Sequence, residues 1–137
     1  MAKKTETTES NYSAQIIDAS REFSPKERVM YKDLGNATQM VDFAKSALEN
    51  DGKAIIDVAD YAVIAVHNDA TEDKDYTNYL LIDKNGEKYY TGSVAFWNAF
   101  MNIYTEMKEC EEPWAIQLNL LPSKNYKGKE ILTCSLV

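Results

Sequence analysis

The chain has 137 residues, of which 45% are hydrophobic and 27% are charged, and its formal net charge is −7. These values predict one ordinary globular domain with a single hydrophobic core. They exclude a protein that coats duplex DNA by bulk positive charge, and no apolar run approaches the roughly 18 residues that span a bilayer.

The first 22 residues are polar and rich in Thr, Ser and Glu, a composition typical of a mobile segment. We therefore expect residues 1–22 to form a flexible arm. No apolar segment follows the lysines at positions 3 and 4, so the pattern is not that of a secretory signal. The expected location is the cytoplasm, or the host cytoplasm if a phage encodes the protein.

Residues 23–50 predict a helical extension made of two helices. Ser24 is the expected N-cap of the first helix, Pro25 takes its first position, and Glu27 completes a capping box. Apolar residues recur at helical spacing over residues 37–48 and predict the second helix. We expect this pair to pack on the outside of the strands that follow.

Three strands are predicted next. Residues 54–66 form a long β-rich run whose interior aspartates suit a bent strand. After an acidic loop over residues 67–75, strands are expected at 76–82 and 87–91. They are joined by a turn in which Asn85 and Gly86 supply the positive φ values of a tight hairpin.

The last third of the chain predicts a helix followed by a hairpin. Ser93 is the expected N-cap of an amphipathic helix that ends before Pro113. Strands are expected at 114–121 and 131–137, with a basic loop between them. Three strands, a helix and two strands follow one another in the OB-fold, a small five-stranded barrel that commonly binds nucleic acid. We therefore predict an α+β, mostly β chain with an OB-like barrel over residues 54–137, inside one domain over residues 23–137.

The basic loop is the main candidate for a binding site. It contains Lys124, Tyr126, Lys127 and Lys129 and no acidic residue. The lysines suit phosphate contacts, since an ammonium group tolerates variable backbone geometry, and Tyr126 suits stacking on a base. A solvated hairpin loop, in which Lys and Gly only maintain solubility, is an equal alternative.

Tyrosines on the second and third strands are further candidates. Tyr79 and Tyr89 are candidates for base stacking, and Lys88 for a phosphate contact beside them. Tyr89 and Tyr90 are adjacent in a strand and point to opposite faces, so at most one of them faces solvent. In the alternative interpretation these tyrosines cover the rim of the core.

The remaining polar residues do not predict chemistry. His67 has no second His or Cys at metal-ligand spacing, and the acidic cluster after it lacks the pattern of a calcium loop. Cys110 and Cys134 are expected to be free thiols, with Cys134 as a small buried hydrophobe. We therefore expect no catalytic residue, no metal and no cofactor, and a protein that is not an enzyme.

Residues 83–137 resemble the small single-stranded DNA-binding protein of Bacillus phages that replicate by protein priming. The likeness lies in the hairpin turn, the tyrosine after it, the helix that Ser93 opens, the loop with a Ser-Lys pair and a Gly, and the terminal Ser-Leu-Val. It implies an OB-type protein that coats the displaced strand during replication. It also implies that Tyr89 lies at a base-stacking position. The N-terminal helices are additional to this family.

Two functions therefore remain open at this point. The first is sequence-independent binding and protection of single-stranded DNA during replication, with replication proteins as further partners. The contacts would come from Lys88, Lys124, Lys127 and Lys129 to phosphates and from Tyr79, Tyr89 and Tyr126 to bases. The second is an acidic module that binds a host or replication protein through its loop over residues 69–75. In either case we expect no membrane partner and a monomer or weak homo-oligomer.

Overall fold

A computed structural model describes residues 12–124 and 128–137, which form eight strands and three helices. The helices are α1 (Pro25–Lys32), α2 (Met40–Glu49) and α3 (Val94–Met107). The strands are β1 (Tyr12–Ala19), β2 (Thr38–Gln39), β3 (Ala54–Ile56), β4 (Val58–Asn68), β5 (Asp75–Asp83), β6 (Lys88–Thr91), β7 (Ile116–Pro122) and β8 (Glu130–Leu136). None of the described helices has the length and apolar character needed to cross a membrane.

The larger sheet has five strands in the order β1-β4-β5-β6-β2. Its centre is the antiparallel meander β4-β5-β6. The β5–β6 turn forms where the sequence predicts it, with Gly86 at a φ of 84°, but the positive φ predicted for Asn85 is wrong. The Asp83 carboxylate accepts hydrogen bonds from the backbone N–H groups of Asn85 (2.9 Å) and Glu87 (2.8 Å), so local chemistry fixes this hairpin.

The smaller sheet has three antiparallel strands in the order β3-β7-β8. Asp57 is the only residue between β3 and β4, and the chain passes from one sheet to the other at this point. The predicted bent strand over residues 54–66 is therefore divided at Asp57, and its two parts serve different sheets. The two strands of the C-terminal hairpin are confirmed.

The main core lies between the two sheets and the helices α2 and α3. Met40 of α2 and Phe96 and Phe100 of α3 are fully buried there. Alternation along β7 directs Ile116 and Leu118 to the same core. Ser93 accepts a hydrogen bond from the Phe96 N–H and is the N-cap of α3, as predicted.

A second core covers the opposite face of the larger sheet. It contains Ile64 and Leu80 of the sheet, both fully buried, and Phe23, which precedes α1. The Phe23 and Tyr31 rings meet edge to face at 4.9 Å. The predicted capping box at Ser24 is present, so α1 begins where its sequence indicates. This core explains why α1 packs on the larger sheet, whereas α2 packs on the main core.

The prediction that residues 1–22 form a flexible arm is wrong for residues 12–22. Residues 12–19 form β1, which pairs with β4 from Tyr12 opposite Asn68 to Ala19 opposite Ala62. Arg21 then donates hydrogen bonds to Glu27 (2.6 Å) and Asp60 (3.2 Å), and its contact with Glu27 lowers the pKa of that carboxyl to about 2. Residues 1–11 lie outside the described part of the chain.

The chain is α+β and mostly strand, as predicted. The predicted order of three strands, a helix and two strands holds for β4 to β8, whereas β3 is a separate strand and β1 and β2 were not predicted. Residues 12–124 and 128–137 do not form a closed five-stranded barrel, because both of their sheets are open. The edge of β6 that would close a barrel is paired instead with β2, which runs parallel to it at Tyr89 and Tyr90. A 3.5 Å hydrogen bond from the Ser93 hydroxyl to the Leu132 carbonyl joins β8 to the residues that follow β6.

Candidate nucleic-acid interface

The β7–β8 hairpin presents two of the predicted lysines to solvent. Lys124 and Lys129 are exposed at its end, and the Ser123 N–H donates to the Lys129 carbonyl across it (2.9 Å). Gly128 has a φ of 80°, a backbone conformation that residues with a Cβ rarely adopt. The two lysines therefore lie at the same end of the smaller sheet. Tyr126 and Lys127 lie outside the described residues.

The face of the smaller sheet that points away from the core continues from this hairpin. We call it the outer face, and its β7 and β8 residues are Gln117, Asn119, Leu121, Ile131, Thr133 and Ser135. The Gln117 amide donates to the Asn119 side chain, which in turn donates to the Ser135 hydroxyl, both at 3.1 Å. Leu121 and Ile131 are paired across the two strands and are 50% and 39% exposed. The outer face thus combines amides, hydroxyls and an exposed apolar pair.

Acidic residues are sparse at this surface. Glu130, opposite Pro122, is the acidic residue of the two strands. An anionic ligand that follows the outer face toward the hairpin would meet two described lysines and one glutamate. The local charge therefore favours an anion although the chain as a whole carries −7.

Lys88 is not placed for a phosphate contact. Its ammonium group donates hydrogen bonds to the backbone carbonyls of Met30 (2.8 Å) and Asp33, at the end of α1. These carbonyls have no intrahelical donor, and a lysine near a helix C-terminus satisfies them. Lys88 therefore joins α1 to the larger sheet.

Replacing Lys88 by methionine should lower the free energy of unfolding by about 1 kcal/mol, because the two carbonyls lose a charged donor while the aliphatic stem is retained. Lys84→Met is the matched control, since Lys84 is exposed in the adjacent turn. Urea denaturation of both variants checks this. Equal stabilities would show that the Lys88 contacts contribute nothing.

Tyr79 is half-buried and packs against the main core. Its ring lies parallel to that of Trp97, with centroids 4.7 Å apart and an interplanar angle of 10°, and it contacts the main core. The stacking surface of Tyr79 on that side is thus taken by Trp97. This contact supports the interpretation that the tyrosine covers the core, and it does not bring Tyr79 to the hairpin lysines.

Tyr89 is also held by core contacts. Its ring packs against Phe43 of α2 with centroids 5.1 Å apart. Burial raises the pKa of Tyr89, and the nearby carboxylates of Asp83 and Glu87 raise it further. Negative charge beside the ring disfavours a phosphate backbone at this position. The adjacent Tyr90 points to the opposite face, as predicted, and packs against the second core.

His67 organises the acidic loop between β4 and β5. Its Nδ1 lies 2.8 Å from the Asp75 carboxylate and its Nε2 lies 2.8 Å from that of Asp69. These contacts, the hydrogen bond with Asp75 above all, raise the pKa of His67. Within the described residues, no group of three or more His, Cys, Asp or Glu side chains is arranged to hold a metal ion.

The raised pKa of His67 predicts a pH dependence. The protonated ring, which can donate to both carboxylates, should stabilise the fold fully below the unfolded-state pKa of about 6.5. This contribution should disappear as the pH rises through the higher folded-state value. An NMR titration of this single histidine should give a pKa above about 6.5, and Asp75→Asn should lower it. Asp73→Asn removes a charge from the same loop without this hydrogen bond and should change it less.

Sequence reasoning missed most of the outer face. Alternation over residues 116–122 would have separated Gln117, Asn119 and Leu121 from the buried positions, and the exposure of Leu121 follows from that pattern. The neighbouring sequence does not indicate that Lys88, Tyr79 and Tyr89 contact distant residues of α1, α3 and α2. Cys134 is buried, as predicted, and burial raises the pKa of its thiol to about 12.

No family model matches this chain, and no curated protein or solved structure is significantly similar to it.

Proposed function

We propose that this protein binds single-stranded DNA without sequence specificity, through the β7–β8 hairpin and the outer face. The observation that carries the proposal is the exposure of Lys124 and Lys129 next to an exposed sheet face, in a hairpin whose two strands contain one acidic residue, Glu130. Ammonium groups on a hairpin contact phosphates in any sequence, because every nucleotide presents the same charge. The exposed Leu121 and Ile131 offer apolar surface to unstacked bases.

The proposal changes the set of contact residues. Lys124 and Lys129 remain, and Lys127 and Tyr126 of the same loop stay predicted contacts. Lys88, Tyr79 and Tyr89 are no longer proposed as contacts. The Lys88 ammonium donates to backbone carbonyls, and the rings of Tyr79 and Tyr89 pack against Trp97 and Phe43. Binding then rests on one end of the smaller sheet and not on a surface that extends over the β5–β6 hairpin.

The order of elements from β4 to β8 and the family resemblance are consistent with this proposal. Three strands, a helix and two strands are the order of an OB-type protein, in which the loop between the last two strands contacts nucleic acid. We propose that the hairpin of β7 and β8 corresponds to this loop. On this basis we propose an OB-type, phage-related protein, not an enzyme, that protects the displaced strand during replication in a cytoplasm.

A titration with an oligo-dT of about 30 nucleotides tests the proposal. Quenching of Tyr and Trp fluorescence should saturate with the single strand, weaken with salt, and be absent with a duplex of equal length. Equal binding of the duplex would contradict single-strand binding. Absence of binding even at low salt would contradict the function as a whole.

A second function is favoured by a different observation. The acidic loop over residues 69–75 is not loose, since His67 joins Asp69 and Asp75 and the Asn68 N–H donates to the Lys74 carbonyl (2.7 Å). A fixed acidic loop suits a basic surface on a protein partner. Under this alternative, Glu72→Lys/Asp73→Lys should abolish partner binding, and changes in the lysine hairpin should have no effect.

A further inference from the structure

The outer strand β1 leaves a long sheet edge without a neighbour in residues 12–124 and 128–137. It pairs with β4 on one side, and the sheet order places no described strand on its other side. Exposed strand edges are templates for pairing with another chain. The other edge strands differ from β1: β2 has two residues, β3 has three, and β8 contacts α3 and has the charged Glu130 at one end.

Most of β1 lacks the features that usually prevent a strand edge from pairing with another chain. Residues 12–17 contain no charged residue and no proline, which are the common devices that prevent edge pairing. The one irregularity is a bulge between Ile16 and Asp18. The Asp18 carboxylate is at this end as well, where it accepts from the Ala19 N–H. A run of five residues, Tyr12–Ile16, therefore remains in regular register with β4.

We propose that two copies of this chain associate through β1, antiparallel and about a twofold axis, to form a continuous ten-stranded sheet. The first argument is charge. Each copy carries −7, so close approach of two copies is least opposed where the surface is uncharged, and residues 12–17 provide such a segment.

The second argument is the self-complementary pattern of the strand. A twofold axis normal to the sheet keeps each face of one copy continuous with the same face of the other. Centred on Ala14, it pairs all five regular residues. Tyr12 then lies opposite Ile16 of the partner subunit, on the face where Ala14 and Ile16 border the second core. An aromatic side chain opposite a β-branched one is a favourable cross-strand pair.

The same axis matches polar residues on the other face. Ser13 lies opposite Gln15 of the partner subunit, and both positions are exposed. Apolar residues thus meet apolar residues and polar residues meet polar residues, with no like charges opposed. The association does not depend on the proposed DNA binding, because the hairpin lysines belong to the other sheet.

Light scattering coupled to gel filtration of the full chain tests the inference over a wide range of concentrations. We expect a mass of two chains, against 15.6 kDa for one. Ser13→Lys/Gln15→Lys places four lysines across the axis and should halve the mass without changing the circular dichroism spectrum. Asn98→Lys/Asn102→Lys adds the same charges to exposed positions of α3 and should leave the dimer intact. A single-chain mass for the unmodified protein, or a dimer that survives the edge change, would overturn the inference.

A cysteine at the axis gives an independent readout. Ala14→Cys brings two sulfurs together across the proposed interface, because Cα atoms of opposed residues in antiparallel strands lie about 4.5–5.5 Å apart, within the range for a disulfide. Mild oxidation should therefore link two chains of Ala14→Cys but not of Ser46→Cys, whose cysteine lies at an exposed position of α2. Equal yields from the two variants, or no linked dimer from Ala14→Cys, would contradict the proposed pairing.

Discussion

Replacement of Phe100 by alanine is expected to lower the free energy of unfolding by about 3–5 kcal/mol. Phe100 is completely buried in α3, and four aromatic rings surround it. Its ring centroid lies 5.4 Å from that of Trp97, 5.7 Å from Tyr104, 6.0 Å from Phe96 and 6.1 Å from Tyr61. The substitution removes the ring that these neighbours share and leaves a cavity that helix and sheet cannot both move to fill.

Val94→Ala is the matched control for Phe100→Ala. Val94 lies on the same helix and is 59% exposed, so its truncation should change stability by no more than about 0.5 kcal/mol. Urea denaturation gives both values, and an unchanged slope with denaturant would confirm that the unfolded states are comparable. A Phe100 variant as stable as the Val94 variant would contradict the position of Phe100 at the centre of the main core.

Local signals in the sequence were sufficient for the ends of several elements. The capping box at Ser24 and Glu27 and the N-cap at Ser93 require only neighbouring residues. The Asn85-Gly86 turn likewise depends on the φ that glycine permits. Because these interactions connect residues at most four positions apart, a single sequence contains the information needed to predict them.

Pairing between distant segments had no comparable signal. Residues 12–19 follow a polar segment whose composition indicates an arm, but they pair with β4, between 43 (Ala19 with Ala62) and 56 (Tyr12 with Asn68) positions further along the chain. A strand of this composition is stabilised by the partner's hydrogen bonds and by the second core, and neither can be seen in its own pattern. The parallel pairing of β2 with β6, which occupies the edge needed for barrel closure, is equally nonlocal.

The candidate site shows the same division. Exposure of Lys124 and Lys129 follows from their place in a hairpin loop, which the glycine and the flanking strands indicate. The removal of Lys88 from the candidate contacts depends on carbonyls 55 and 58 positions away. The removal of Tyr79 depends on the way in which α3 crosses the sheet. A residue type at a plausible position therefore predicts a contact only if no distant group has already taken it.

Neutralising the two described hairpin lysines should produce the largest change in ligand affinity. For single strands, the logarithm of the binding constant falls with the logarithm of salt concentration with a slope of about −0.7 per phosphate contact. Loss of two contacts in Lys124→Ala/Lys129→Ala should therefore reduce the slope by about 1.4. If the electrostatic contribution vanishes near 1 M salt, the same relation predicts that the double variant binds about 25-fold more weakly at about 0.1 M salt.

Lys26→Ala/Lys108→Ala removes the same charge from exposed positions on α1 and after α3, and it separates local contacts from a change in net charge. This control should retain the original slope, because lysines that do not meet a phosphate release no counterions. If both double variants lowered the slope equally, DNA binding would depend on the overall charge of the protein and not on contacts with the hairpin. If neither changed it, single-strand binding would have to use another surface. The salt dependence therefore tests the position of the site as well as its existence.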